Sequence, residues 1–167
     1  MFGKLKPPDV CRRLCGALWQ TFMVLLYASW WGGLSFYAVV VVPIGTHQIG
    51  SVEQGFITQE VTYWHNLLLT AMVICLAIEA LQRKARSAWL IIGSLAIIDL
   101  ALLADHSRLT SLMNFTSRSV PDNFYHQHAI YLWLTAAEWV IGLILPLWGC
   151  RRGLESTPAA GASNSTI

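Results

Sequence analysis

Four long apolar runs pattern the chain: Gly16–Val42, Val61–Leu81, Ala88–Ala104 and Ala129–Gly149. Few polar residues interrupt them. His65 and Asn66 sit early in the second run, Asp99 lies inside the third, and Glu138 lies inside the fourth. About 20 helical residues cross a hydrocarbon core of about 30 Å, and each run is near that length. Only helices or closed barrels satisfy their backbone groups in lipid, and these runs lack the period-2 alternation of barrel strands. The pattern therefore predicts an all-α membrane protein, an antiparallel four-transmembrane-helix bundle. Its helices are expected at about 16–42, 52–82, 88–106 and 122–149. A basic N-terminus (1–15) precedes them and a flexible cytoplasmic tail (151–167) follows. The first run is too long for a cleaved signal segment, whose apolar region spans about 7–15 residues.

The segments between the runs carry end signals. Ser51 with Gln54 three residues on reads as a capping box, so helix two starts near Val52 after a short turn, Pro43–Gly50. The segment Ser107–Val120 extends helix three until Pro121 breaks it, and Asp122 or Ser119 caps helix four. The final twelve residues, Ser156–Ile167, are small and polar and bury too little apolar surface to order themselves.

Composition agrees with a lipid solvent: 55% of residues are hydrophobic and 12% are charged, against about 25% charged in soluble chains. The net charge of +2 argues against a nucleic-acid partner. Charge does fix an orientation. Lys4, Lys6, Arg12, Arg13, Arg83, Lys84, Arg86, Arg151 and Arg152 fall on one side, nine of the eleven basic residues. Only Arg108 and Arg118 fall on the other, so both termini are cytoplasmic by the positive-inside rule. Trp19, Trp89 and Trp148 then belt the inner interface. Tyr63, Trp64, Tyr125, Tyr131 and Trp133 belt the outer one, and Trp30, Trp31 and Trp139 pack between helices. The membrane is a bacterial inner membrane or a eukaryotic plasma or organelle membrane.

Topology gathers all five histidines, His47, His65, His106, His126 and His128, at or near the outer face. Ionisable groups inside a membrane are expensive and mark functional candidates. Glu79 reaches the inner interface and pairs with Arg83 four residues on. Asp99 and Glu138 have no such escape; each faces the bundle interior and finds a polar partner or stays protonated. Ser29, Ser35, Tyr37, Thr70 and Thr135 are the candidate partners. Asp99 and His106 share a helix face about 10 Å apart along the axis. His126 and His128 point about 200° apart on a helix, so at most one of them faces the bundle.

Three functions compete. A haem site would use axial histidines on facing helices, drawn from His65, His106 and either His126 or His128. A transition-metal or proton path would run from these histidines to Asp99 and Glu138. An accessory or structural subunit would use the buried acids to fix helix packing, with Ala28 and Gly32 allowing close approach. The last ranks first, and no cofactor is the default. No nucleophile–base pair or phosphate-binding loop designates a catalytic residue. The expected partners are the bilayer and either further copies of the chain or the other subunits of a membrane complex.

The segments WWGGLSFYAVVVVPIGT, EQGFITQEVT and HAIYLWLTAAEWVIGL, spread over residues 30–145, resemble a group of small bacterial four-helix membrane proteins. That group is similar in layout to the eukaryotic transmembrane-protein-205 type. The resemblance implies four helices and carries over no catalytic residues.

Overall fold

A computed structural model describes residues 7–117, 119–121 and 123–155, with side chains described over 11–117, 119–121 and 123–146. The tail beyond 155, and Asp122 as a cap, lie outside the described residues. The architecture is all-helical among the described residues, with four helices long and apolar enough to cross a membrane.

The first helical rod, α1, runs over residues 7–49 without a break in its path. It is α-helical over Pro7–Tyr27, a π-helix over Ala28–Gly32, α-helical over Gly33–Phe36, a π-helix over Tyr37–Val41 and α-helical again over Val42–Ile49. It passes straight through Pro43, beyond the expected end at Val42. Proline breaks a helix because it lacks an N–H and its ring strikes the preceding turn. Here Pro43 follows directly on the π-helix Tyr37–Val41, whose wider turn interrupts the regular α hydrogen-bond ladder ahead of the ring. Gly50 ends the rod with φ of 91°, a backbone region open chiefly to glycine.

Helix α2 follows at once over Ser51–Arg83. The expected capping box is absent: Gly50 is the N-cap and no side chain caps the helix. Gln54 turns inward instead, donating through Nε2 to Tyr37 at 3.2 Å and Thr58 at 3.3 Å. At 33 residues, α2 is about 50 Å long, longer than the hydrocarbon core, so it tilts or protrudes. Lys84 closes it in the left-handed conformation, its N–H bonded back to Ala80 and Leu81. Glu79 and Arg83 form the expected i,i+4 ion pair at 2.7 Å.

Helix α3 spans Ala88–Leu112, and α4 spans Phe124–Glu155 with Pro146 inside it. The expected extension of helix three thus stops at Leu112 rather than at Val120. The chain turns extended at Met113, and Asn114 and Ser119 then exchange backbone hydrogen bonds of 3.0 and 3.3 Å. The Asn114 side chain stabilises this turn by accepting from the Thr116 and Ser117 amides. Ser119 is held in that turn by Asn114 and Ser117.

Along α3 the buried positions are Ala88, Ile92, Leu95, Asp99, Leu102, Asp105 and Leu109. Steps of three or four residues throughout define a seam of the kind that packs knobs into holes. The seam meets Leu69 and Met72 of α2, Leu26 and Trp30 of α1, and Tyr131 of α4 in one core. The outer surfaces are as apolar as the core: Leu90 is 81% exposed, Trp133 78% and Ile97 70%. Large apolar side chains exposed this broadly require a nonaqueous neighbour. Lipid supplies it.

On α1 the buried residues Leu26, Trp30 and Leu34 recur every four positions. So do Tyr27, Trp31 and Ser35, which meet α4 beside them. Tyr27 donates to the Gly142 carbonyl at 3.1 Å, Trp31 to the Trp139 carbonyl at 3.0 Å, and Trp139 Nε1 to Ser35 at 2.8 Å. A regular α-helix advances about 40° past a full turn at each four-residue step. The wider π turn removes much of that drift and keeps each row in line. Tyr27 and Trp31 accordingly stack with rings only 6° from parallel. Gly142 makes room for them: a Cβ there would sit 2.1 Å from the Trp31 ring. Gly142→Ala is expected to separate α1 from α4 and lower stability by about 1–3 kcal/mol, read by denaturant unfolding in detergent.

Candidate polar site in the bundle interior

Burial selects the interior polar groups. Glu138 and Asn66 are fully buried, and Gln54, Asp99 and Asp105 are nearly so. Helices position each of them by spacing. Asp99 occupies a seam position on α3. Asn66 lies three residues before Leu69 on α2, and Glu138 lies seven after Tyr131 on α4, so each shares the core face of its helix.

Glu138 joins three helices. Its Oε1 accepts from Trp30 Nε1 of α1 at 2.5 Å and lies 3.1 Å from His65 Nε2 of α2. Neither donor was among the partners expected from sequence. The sequence pattern predicts Trp30 only as a packing residue and His65 only as a ligand candidate. Asp99 finds one of its expected partners: Thr70 donates to Oδ2 at 2.8 Å. Thr70 also reaches the Asn66 carbonyl at 3.0 Å, so its single proton has two acceptors. Asn66 in turn accepts from the Tyr131 hydroxyl at 3.2 Å. Tyr131 is buried, and its expected place in the outer aromatic belt is corrected. A tyrosine with its hydroxyl hydrogen-bonded in the core gains more from burial than from an interface.

Three buried atoms in this layer have no hydrogen-bond partner: Asn66 Nδ2, Asp99 Oδ1 and Glu138 Oε2. They are one donor and two acceptors.

At the Gly50 end of the bundle all four helices line a cavity of about 310 Å³. His106 and His128 border it together with Tyr131, Thr62 and Gln59. His106 Nδ1 makes a loose contact with Thr62 at 3.5 Å, and His128 stacks on Phe124. His126 faces outward and is exposed, so the helical angle does separate the pair. His65 lies deeper, against Glu138, and His47 is exposed. The histidines are thus divided among separate settings. Among the described residues no three His, Cys, Asp or Glu side chains converge as a metal set.

A second cavity of about 360 Å³ lies at the Lys84 end, walled by Met23, Tyr27, Met72, Leu145 and the Glu79–Arg83 pair.

Helix length, lipid-facing apolar surface and a buried polar layer together define a multi-pass helical membrane protein. No protein-family model, curated protein or solved structure matches the chain.

Proposed function

We propose that the protein is an accessory or structural subunit of a membrane assembly, built as an antiparallel four-helix bundle with both termini cytoplasmic. The observation that carries the reading is Glu138, one carboxylate oxygen of which takes partners from α1 and α2 at once. Thr70–Asp99 links α2 to α3, and Tyr131–Asn66 links α4 to α2. Interior polarity used this way fixes the helix arrangement, and the apolar exterior remains available to lipid and to neighbouring subunits. The split of nine basic residues against two supports the orientation. The resemblance of residues 30–145 to small bacterial four-helix proteins supports the four-helix layout alone.

A second reading, haem or transition-metal binding, draws on His106 and His128 bordering one cavity. One preparation separates the two. After cross-linking in its own membrane and mild solubilisation, the chain is expected in a particle larger than a monomer, with no Soret band and no bound metal. A reporter fused after Ile167 is expected to read cytoplasmic. Recovery only as a monomer overturns the subunit role. A Soret band lost in His106→Ala transfers the assignment to haem.

A further inference from the structure

Interior polar groups that serve packing alone close on one another, because each unsatisfied buried atom carries a desolvation penalty. The Glu138 layer is not closed. Asp99 Oδ1 and Glu138 Oε2 lack donors, and Asn66 Nδ2 lacks an acceptor. Two carboxyl groups, Asp99 and Glu138, are thus buried in one bundle interior. Holding both as anions in a low-dielectric interior is costly, and a proton on one of them removes that cost.

Polar side chains lead from this layer to the exterior in one file. The Gly50-end cavity is bordered by His106, Thr62 and Tyr131. Thr62 contacts His106 at 3.5 Å, and Tyr131 borders the same cavity. Tyr131 donates to Asn66 at 3.2 Å. Thr70, one turn further along α2, bonds both the Asn66 carbonyl and Asp99. The rest of the core at this depth is apolar: Leu69, Met72, Leu95 and Leu102. The file therefore offers a polar route inward, and His65, partly exposed on α2, reaches Glu138 beside it.

The geometry points to Asp99 and Glu138 as an internal proton-exchange site served from the Gly50-end cavity. In uptake, a hydronium in the cavity gives one proton to the Asp99 carboxylate, leaving a water; release reverses the step. His106 carries a ring nitrogen that can hold the proton at the cavity wall. Tyr131, Asn66 and Thr70 are positioning residues that orient the route. Glu138 sets the charge balance, and His65 against its Oε1 offers a second place for the proton. The charged and titratable groups facing the route are His65 and Glu60 from α2, Asp105 and His106 from α3, and His128, Tyr131 and Glu138 from α4. From α1 these are Tyr27, packed beside Trp30, and Tyr37, hydrogen-bonded to Gln54 and Thr58 at the cavity. The site belongs to the single chain and operates with or without a partner subunit.

Infrared difference spectroscopy on the full chain in lipid nanodiscs tests this. The expected result is a protonated-carboxyl C=O band that titrates with bulk pH and disappears in Asp99→Asn. Transfer to D₂O should shift the band, and Tyr131→Phe should slow that exchange by about tenfold, the net value of one hydrogen bond. Tyr131→Phe keeps the packed ring, so it serves as well if Asp99→Asn does not fold. A wild-type protein without such a band, or with one insensitive to pH, overturns the site. Exchange equally fast in wild type and Tyr131→Phe overturns the route.

Discussion

Glu138→Ala lowers stability by about 3–5 kcal/mol, a loss matched here only by Trp30→Ala. The carboxylate is fully buried, and its Oε1 receives both Trp30 and His65. Truncation leaves the buried Trp30 Nε1 and the half-buried His65 Nε2 without their partner and opens a void in the bundle. Glu138→Gln is the control. Its amide oxygen can still accept from Trp30, so the expected loss falls to about 1–2 kcal/mol, the difference between a charged and a neutral acceptor. Denaturant unfolding of both variants in detergent checks the contrast. Equal losses would mean that Oε1 does not join the helices.

Trp30→Ala is expected to cost about 3–5 kcal/mol for a different reason. The indole is fully buried in the core, so most of the loss is lost packing. Trp30→Phe separates the two contributions by keeping a ring and removing the N–H. Combined with Glu138→Gln it should be less than additive, because both changes weaken one contact. A double-mutant cycle that closes to zero would assign Trp30 to packing alone.

Both predictions rest on a contact that the sequence pattern did not expose. Asp99 and Glu138 were legible as interior groups, since an ionisable residue deep in an apolar run has nowhere else to go. Thr70 was legible as a partner because small hydroxyl residues near the same depth are few. Trp30 was not legible as the Glu138 donor. In a membrane helix, tryptophan fits a belt, a lipid face and a core equally well, and only tertiary geometry reveals where its N–H points. The seam on α3 illustrates the wider difficulty. Ala88, Ile92, Leu95, Asp99, Leu102 and Leu109 keep a heptad rhythm, yet the lipid-facing Leu90, Ile97 and Leu100 are just as apolar. When solvent and core have the same polarity, hydrophobic periodicity no longer distinguishes inside from outside. Helix count survives this loss because it depends on run length rather than on facing.

The helix ends were less legible, each for a local reason. Ser51 and Gln54 have the spacing of a capping box, but burial of Gln54 against Tyr37 and Thr58 outweighs a cap that water could also satisfy. The end of α1 was hidden by its π segments, which have no composition signal of their own.

Those π segments carry a further consequence for α1. In an ideal α-helix, depth and direction are locked together, each residue adding about 1.5 Å and 100°. A transmembrane rod obeying that rule cannot place one row of side chains against a neighbour at mid-depth and then freely choose its facing at the far end. The turns at Ala28–Gly32 and Tyr37–Val41 relax the lock. They act as phase adjusters: α1 meets Glu138 and Trp139 with one half and delivers Tyr37 to Gln54 with the other. Changing the residue count inside either turn would retune the facing of everything beyond it while hardly altering how deep the helix sits.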